Sequence, residues 1–584
     1  MNRNTSLLVT TLVFAIGISE KTFSQNPLFI PDTLSGKVFN LTVQKSSKVF
    51  FTGYTTTTYG FNGPFLGTTL FMNKGDSVTL NVINTLLEAT TVHWHGFHIP
   101  SKYDGGPHQV INAGTTWSPS FKIRNNAGTY WYHPHGHRKT EIQVSKGLAG
   151  LIIIRDSAEA SYTLPRKYKV DDFPLIVQAR IFDDFKQIAT ATHDDSIVMV
   201  NGTINPFLQV PKQVVRFRIL NGSPERTYNF GLSDSSYFYL IATDGGLLEQ
   251  PYKTKRLRLS VGERAEILID FGKDTIGQQK YLMSYSSELP KGIIGADSVG
   301  TKTLIIQDGY YQNKLNGLDF KLLRFDVITT TTTTIPVTTI PTSFAPITYI
   351  PPSQATVTRH LNFTPDLKTS GQQGFVDGPF FINMKTFNMD SINQVVFLDN
   401  TEIWELTNKT LVAHPFHIHD IQFFVLDINR KPPPPELSGY KDVILVQPDD
   451  TVRFITKFDL FSDEVVPFMY HCHLLHHEDD GMMGSFLVVD TTGKSGISEN
   501  DLLCNMKVYQ DFSNNELSIK LSSKKNTASR IIIIDMLGRK QKNIFSGTIY
   551  QGENELKANI SDLKKGIYFV VLSGEIYQCK KIIR

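Results

Sequence analysis

The chain has 584 residues, of which 40% are apolar and 19% charged, a composition typical of folded rather than disordered proteins. At about 100–200 residues per domain, this length predicts roughly three or four domains. Lys and Arg number 58 and Asp and Glu 55, and this near-balance argues against a nucleic-acid binder that relies on a basic surface. Three cysteines exclude a framework of many disulfides.

The first residues have the three-part pattern of a secretory signal peptide. Arg3 supplies the positive charge, residues 7–18 form a short apolar core, and small residues follow near Ser24. The pattern predicts a signal peptide over residues 1–24 and hence an exported protein. No other segment reaches about 18 consecutive apolar residues, so the sequence predicts no transmembrane segment.

Short β-branched or alternating runs, separated by turn signals, dominate the rest of the chain. Two of these runs are 76–82 and 214–220, and Asn201-Gly202 is one of the turn signals. Stretches with helical periodicity are scarce, so the pattern indicates an all-β chain of sandwiches or barrels. Composition shifts predict domains over 26–160, 161–320, 355–492 and 505–584, with an exposed Thr- and Pro-rich linker over 321–354.

Ten of the sixteen histidines fall into four clusters along the chain. The clusters stand in TVHWHG, YWYHPHGH, HPFHIH and HCHLLHH, where His137 and His476 are not counted among the ten because they are not expected to be ligands. Imidazole is the commonest metal ligand at neutral pH, and a cysteine thiolate adds a soft ligand. One His-x-His in a strand is usually accidental, whereas four clusters in one chain predict a metal centre. The ten histidines are His93, His95, His133, His135, His414, His417, His419, His471, His473 and His477.

The spacing of these histidines predicts how they divide between sites. Residues i and i+2 of a strand point the same way and i+1 points the opposite way. His471 and His473 should therefore face one site while Cys472 faces another, so that one tripeptide bridges two metal centres. Each of the other His-x-His pairs presents two imidazoles to one side, which brings eight histidines together.

Cys472, His414, His477 and Met482 are left over. Two His, one Cys and a weak axial Met are typical of a blue-copper electron-transfer centre. Zinc is the main alternative, but structural zinc sites use four closed ligands, usually with more than one Cys. Eight histidines without a carboxylate fit a cluster of copper ions better than they fit zinc.

These four motifs, in this order, resemble those of the multicopper oxidase family, and the closest similarity is to its bacterial laccase-like and cuprous-oxidase branch. ATDGGLLEQP and SVGERAEILIDF are also similar to that branch. The resemblance implies an all-β fold of three consecutive cupredoxin-like Greek-key β-sandwiches, followed here by a small C-terminal β-sandwich. It also implies four copper ions per monomer. The implied ligands are His414, Cys472, His477 and Met482 for type 1 copper; His93 and His417 for type 2; His95, His133 and His473 for one type 3 copper; and His135, His419 and His471 for the other.

The resemblance further implies an activity. A reducing substrate gives single electrons to type 1 copper, and Cys472 with its neighbours His471 and His473 carries them to the trinuclear cluster. There, four electrons reduce one dioxygen to two waters. Asp104 and Glu478 occupy the positions at which this branch has acids that serve the cluster, so both are candidate proton donors.

The substrate is less clearly indicated. Cuprous-oxidase members carry a Met-rich insert, but only Met384 and Met389 lie in the corresponding region here. Thr410 and Val412 stand where those members have Asp and Met. These departures favour phenols or aromatic amines, as in laccases. The alternative is a metallo-oxidase of Cu(I) or Fe(II) in copper tolerance, and a non-catalytic copper-binding cupredoxin protein is a weaker one.

Residues 505–584 differ from the rest of the chain. They carry fourteen Lys and Arg against seven Asp and Glu, whereas the remainder is mildly acidic. DMLGR, LKKGIYFV and the basic end resemble the C-terminal sorting domain of Bacteroidetes type IX secretion substrates; a carbohydrate-binding or interaction module is the alternative. The resemblance implies the type IX machinery as partner, export through the periplasm to the cell surface or medium, and removal of this domain. Cys504 and Cys579 flank the segment, and the sequence leaves open whether they pair.

Overall fold

The computed structural model describes residues 25–190, 192–300, 305–306, 313–333, 335–365, 378–490, 504–511, 515–535, 539–574 and 578–584. The predicted signal peptide lies outside these residues, as do the side chains of Cys504 and Cys579. Among the described residues, no helix has the length and apolar character needed to cross a membrane.

Domain 1 is a sandwich of two β-sheets, ordered β10-β7-β3-β4-β5 (with β9 also on β7) and β2-β6-β12-β11-β8. Its strands alternate buried apolar residues with more exposed ones: β7 buries Val78, Leu80 and Val82 and leaves the intervening residues partly exposed. Strand β1, Asn26–Pro27, pairs instead with a strand of the next domain. The other strands are β2 Thr33–Ser35, β3 Val38–Phe51, β4 Tyr54–Phe61, β5 Leu66–Gly67, β6 Thr69–Asn73, β7 Ser77–Asn84, β8 His93–His95, β9 Thr116–Trp117, β10 Ser120–Lys122, β11 Gly128–His133 and β12 Gly150–Arg155.

Domain 2 packs a seven-stranded sheet, β15-β14-β13-β17-β22-β19-β20, against a six-stranded sheet, β1-β16-β26-β23-β18-β21. β24 and β25 pair separately. Its strands are β13 Asp172–Arg180, β14 Ile197–Val200, β15 Thr203–Ile204, β16 Pro206–Pro211, β17 Val214–Asn221, β18 Tyr228–Leu232, β19 Phe238–Thr243, β20 Gly246–Thr254, β21 Leu257–Leu259, β22 Arg264–Asp270, β23 Gln279–Tyr285, β24 Val299–Gly300, β25 Ile305–Ile306 and β26 Asp319–Ile328.

Domain 3 is a third sandwich, with sheets β28-β27-β30-β34-β32 and β29-β36-β35-β31-β33. Its strands are β27 Val357–Pro365, β28 Phe380–Ile382, β29 Gln394–Phe397, β30 Thr401–Asn408, β31 His414–Ile418, β32 Phe424–Ile428, β33 Val443–Val446, β34 Thr451–Lys457, β35 Asp463–Cys472 and β36 Met483–Val489. The described α-helices of the chain are short: α1 Thr140–Ser145, α2 Ser157–Ala160 and α3 Leu475–Asp479.

The C-terminal domain, which we call the tail, forms a smaller sandwich of sheets β37-β38-β41 and β40-β39-β42-β43. Each of the four sandwiches has its own apolar core, as the predicted all-β fold requires. The tail strands are β37 Cys504–Asp511, β38 Glu516–Ser523, β39 Thr527–Asp535, β40 Lys540–Ile549, β41 Gly552–Asn559, β42 Ile567–Gly574 and β43 Gln578–Ile583.

The segment 321–354 differs from the exposed linker expected from its composition. Strand β26 continues through Ile328 and pairs with β16 and β23, so domain 2 extends past residue 320. Further on, Val337 and Phe344 are buried against apolar residues of domain 2, including Ile241. The strand is formed by the apolar residues that precede the threonine run, among them Leu323, Phe325 and Val327, and the scattered apolar residues between the prolines supply the contact with domain 2.

Candidate metal centre

Eight histidines meet where domain 1 faces domain 3. His93 and His95 lie on β8, and His133 ends the adjacent strand β11, where it pairs with His93. In domain 3, His417 of β31 pairs with His471 of β35. His135, His419 and His473 follow these strands directly, and all eight imidazoles are at most 1% exposed.

Six of the eight imidazoles form two groups of three. In one, His95 Nδ1 lies 3.4 Å from His133 Nε2 and 3.3 Å from His473 Nε2. In the other, His471 Nε2 lies 3.0 Å from His135 Nε2 and 3.4 Å from His419 Nε2. The groups draw residues from both domains, so neither exists within one sandwich.

The remaining pair, His93 and His417, shares one arrangement. Each Nδ1 lies 2.8 Å from a backbone carbonyl oxygen, that of Asp104 for His93 and that of Asp442 for His417. A carbonyl only accepts, so each Nδ1 carries the proton and each Nε2 presents a lone pair. Both Nε2 atoms are buried and have no hydrogen-bond partner. Two orphaned lone pairs beside the other histidines fit a bound cation.

Hydrogen bonds from Nδ1 to backbone carbonyls also orient imidazoles in the two groups of three. Nδ1 of His133 and of His471 donates to a backbone carbonyl, at 2.8 and 2.9 Å, which turns the Nε2 lone pairs inward. Burial lowers the pKa of His417, His135 and His471 well below the usual value, and the neighbouring imidazoles lower it further. Neutral imidazoles whose lone pairs face one another at 3.0–3.4 Å repel unless a metal ion lies between them. Imidazole-rich donor sets of this kind fit copper.

A separate triangle lies inside domain 3. Cys472 Sγ is 3.5 Å from His414 Nδ1 and 3.6 Å from His477 Nδ1, and the two nitrogens are 3.2 Å apart. His414 Nε2 lies 2.8 Å from Thr410 Oγ1, which leaves Nδ1 for a metal. Burial raises the pKa of the Cys472 thiol, so a thiolate here needs a bound cation.

Met482 belongs to the same part of domain 3. It is fully buried in the core cluster that contains Cys472. Its carbonyl accepts a hydrogen bond from the Cys472 amide at 3.0 Å, and its amide donates to the His477 carbonyl at 2.8 Å. Two backbone bonds thus hold the Met482 loop against the triangle.

The tripeptide His471-Cys472-His473 joins the two regions. His471 belongs to one group of three and His473 to the other, whereas Cys472 belongs to the triangle. His471 ends up on the interdomain side and Cys472 on the domain core side because β35 is extended there and its side chains alternate.

Asp104 and Glu478, the two acids singled out in the sequence, both touch these imidazoles. Asp104 Oδ2 lies 2.6 Å from His419 Nδ1. Burial would raise the pKa of Asp104, but His419 and His93 hold it below its usual value. Glu478 Oε1 lies 3.2 Å from His135 Nδ1 and accepts from Thr140 Oγ1 at 2.6 Å. Burial raises the pKa of Glu478 well above its usual value.

Domain 2 contributes none of these imidazoles but supports them. Arg264 makes a two-pronged ion pair with Asp442, both bonds 2.6 Å, and Asp442 Oδ1 lies 3.2 Å from His95 Nε2. Backbone carbonyls of Thr129, Gly262 and Asp244 accept the remaining Arg264 donors at 3.0–3.2 Å. Sequence reasoning missed this support, although an arginine among buried strand residues was an available signal.

One more cluster lies at the outer edge of the triangle. His193 Nδ1 is 2.8 Å from Glu225 Oε1, and the rings of His193 and His476 have centroids 4.7 Å apart. His476 directly precedes His477, and the His193 side chain is 29% exposed. This edge therefore connects the triangle with solvent.

Comparison with known proteins identifies the family. Three multicopper oxidase models match residues 42–159, 164–310 and 349–492. The chain belongs to the multicopper oxidases. It is accordingly an oxidase enzyme, and the family implies copper, dioxygen and a reductant. A secretion system C-terminal sorting domain model matches residues 507–584, which indicates secretion.

The relatives of this multicopper oxidase have more than one role. Multicopper oxidase mco of Staphylococcus haemolyticus is 32% identical over 78% of this chain and 89% of its own length. Cell division protein FtsP of Photorhabdus laumondii is 30% identical over 80% and 93%. Among solved structures, a laccase-like multicopper oxidase, CueO of Ochrobactrum sp., is described as active towards lignin model compounds and lignosulfonate. It has a TM-score of 0.69 and 34% identity, covering 79% of this chain and all of its own.

Proposed function

We propose that this protein is a copper-dependent oxidase of laccase type. It couples four one-electron oxidations of a phenolic or aromatic-amine reductant to the reduction of one dioxygen to two waters. The observation that carries the proposal is the convergence of eight buried imidazoles beside a Cys472–His414–His477 triangle. A cell-division role without catalysis has no need of these ligand atoms.

The grouping of ligand atoms supports four copper ions per chain. The triangle His414, Cys472 and His477, with Met482 beside it, would hold type 1 copper. His93 and His417 would hold type 2 copper through the orphaned Nε2 atoms. The two groups of three would hold the type 3 pair: His95, His133 and His473 for one ion, and His135, His419 and His471 for the other.

Copper bound at these sites supplies one-electron transfer and the reduction of dioxygen. The chain itself connects the two regions, because the Cys472 backbone joins the triangle covalently to His471 and His473. The bond from His471 Nδ1 to the Cys472 carbonyl, 2.9 Å long, adds a second link. Electrons therefore have a short, mainly covalent path between the two regions.

Reduction of dioxygen also consumes four protons, for which Asp104 and Glu478 are the proposed donors. Both carboxyls are almost fully buried, and each lies against imidazoles of the cluster. They contact different imidazoles, Asp104 those of His93 and His419 and Glu478 those of His135 and His471. Glu478, whose pKa is raised by burial, would hold its proton until it is needed, whereas Asp104, whose pKa is lowered by His419 and His93, would take up a proton and pass it on to the cluster.

The reductant would approach the edge formed by His193, Glu225 and His476. Oxidation of a phenol releases a proton as well as an electron, and the polar side chains of this edge, with Glu225 Oε1 2.8 Å from His193 Nδ1 and 3.8 Å from His476 Nε2, offer hydrogen-bond partners for the phenol hydroxyl. Thr410, whose hydroxyl is used by His414, and Val412 offer no metal ligand to a substrate ion. The activity described for the laccase-like neighbour also supports an organic reductant.

For localisation, the sorting domain supports export by type IX secretion machinery, through the periplasm to the cell surface or medium, followed by removal of the tail. Finding the full-length protein in the periplasm would contradict this route.

Oxygen uptake by the copper-loaded full chain tests the proposed activity. We expect uptake with a phenol such as 2,6-dimethoxyphenol and much less with Fe(II) or Cu(I). Uptake with the metal ions alone would favour the metallo-oxidase, and no uptake with any donor would sink the oxidase proposal. Cys472→Ser is the control, because any oxygen uptake that it retains does not depend on electron transfer through the triangle.

A further inference from the structure

The outer face of one domain 3 sheet is unusually apolar. Strands β29 and β36 are parallel neighbours, with Val395 opposite Leu487 and Phe397 opposite Val489. Alternate residues of the same strands, Val396 and Val488 among them, enter the domain 3 core. Strands that are apolar on both faces must be covered on both faces. Domain 3 itself covers only one.

The tail has a sheet of the same kind. On β39, Ile531 and Ile533 enter the tail core, and on β42, Val570 and Leu572 do so. The alternate residues form a second, outward apolar face. In that face, β39 and β42 pair in a register that sets Ile534 opposite Phe569 and Ile532 opposite Val571.

These two outward faces lie against each other. One apolar cluster contains six residues that are at most 3% exposed, half of them from each domain: Val395, Leu487, Val489, Ile534, Phe569 and Val571. The rings of Phe397 and Phe569 have centroids 5.2 Å apart. We call this contact the tail interface. Its centre has the packing of a domain core.

The surroundings of the tail interface are polar. At one side, Arg530 and Lys540 of the tail share a cleft of about 330 Å³ with Asp390 and Asn393 of domain 3. At the other, Lys580 Nζ lies 3.7 Å from Glu464 Oε2, and the neighbouring Val465 packs against the tail core. An apolar centre with a polar rim is typical of stable protein interfaces.

We propose that the tail remains bound to domain 3 through this interface without the covalent connection. A cut within residues 491–503 would then leave the tail in place, and its release would require a further displacing step. The occupant of the domain 3 face is the tail of the same chain. The inference concerns the fate of the tail after cleavage and is independent of the proposed substrate.

The test uses the copper-loaded full chain with a site-specific protease sequence inserted among residues 492–500. After complete cutting, size-exclusion chromatography with mass detection is run over a range of dilutions. We expect the tail to co-elute, in a one-to-one complex, with the fragment that contains domains 1 to 3, which we call the body. Separate elution overturns the proposal, and so does a complex of two bodies with two tails, which would mean docking between copies.

Substitution localises the effect. Val571→Lys puts a charge into the interface centre and should weaken tail binding about 100-fold, which is the size of effect found at interface hot spots. Tyr509→Lys, at an exposed position on the other tail sheet, is the matched control and should leave co-elution unchanged. If the tail of the cut Val571→Lys variant still co-elutes with the rest of the chain as it does in the parent, the proposed interface is contradicted.

Two measurements keep this result interpretable. Hydrogen exchange on the uncut Val571→Lys chain should show β38 and β41 still protected, which establishes a folded tail, and β36 exchanging faster near Leu487. Protection of β36 unchanged from the parent would overturn the proposed cover. Oxygen uptake of the uncut chains reports separately on the copper function, so failure of one proposal is distinguishable from failure of the other.

Discussion

The Cys472–His414–His477 triangle and the eight-histidine cluster are built differently. All three ligand residues of the triangle lie within one sandwich, and the core that surrounds them belongs mainly to that sandwich. The cluster takes four imidazoles from domain 1 and four from domain 3, and Arg264 of domain 2 supports it through Asp442. A site whose ligands all lie in one domain depends mainly on the folding of that domain. A site between domains also needs their docking, so the two should respond differently to the same kind of substitution.

The strongest test of this comparison is Cys472→Ser, which removes the residue that links the two regions. We expect turnover to fall at least about 1,000-fold, because the thiolate ligand and the covalent electron path are lost together. Blue absorption should disappear while copper bound by the histidine cluster remains. Metal analysis with visible spectroscopy checks this, and loss of all copper would show that the two regions are not separable.

Asp104→Asn addresses the cluster alone. The amide keeps the shape and an acceptor for His419 but supplies no proton, so we expect turnover about 100-fold slower with the blue colour intact. Steady-state oxygen uptake and the visible spectrum measure the two effects. Asp76→Asn, at a surface ion pair of domain 1, is the control. Unchanged turnover in Asp104→Asn would remove the proton role.

Arg264→Met breaks the support from domain 2. Asp442 would be left as a buried, unpaired carboxylate beside His95, which costs about 3–5 kcal/mol of unfolding free energy. Loss of such support should also weaken cluster copper binding by about 10–100-fold without changing the blue colour. Copper titration and denaturant unfolding measure both quantities.

Arg359→Met is the matched control for Arg264→Met. Arg359 forms a similar buried two-pronged pair with Glu402 in domain 3, at 2.6 and 2.9 Å. The Arg359→Met variant should lose a comparable unfolding free energy but retain the copper bound by the eight-histidine cluster. Equal copper loss in both variants would mean that the effect comes from general destabilisation.

The smallest expected effect concerns the triangle. Thr410→Val removes the hydroxyl 2.8 Å from His414 Nε2, and one such hydrogen bond is worth about 1 kcal/mol. We expect a shifted blue absorption and an approximately fivefold change in turnover, with cluster copper unaffected. Thr410→Ser retains the hydroxyl and should behave as the parent. A shift of equal size in both variants would show that the hydroxyl is not its cause.

Much of the centre could be predicted from the sequence because its signals are local. His-x-His spacing and strand alternation depend on residues two apart, so they already separate Cys472 from His471 and His473. The all-β fold could be predicted for the same reason. The pairing of ligands into two groups of three came from family resemblance, because no local pattern says which strand of domain 1 faces which strand of domain 3.

The sequence by itself determined which residues could serve as metal ligands. The tertiary structure decided what holds them and what covers them. Arg264 reaches Asp442 across 178 positions of sequence, and composition marked 321–354 as an exposed linker although Val337 and Phe344 are buried. The apolar runs of β36 and β39 each show that a strand has two faces to bury, but only their contact shows that they bury each other. Long-range packing, which no local periodicity records, made these choices.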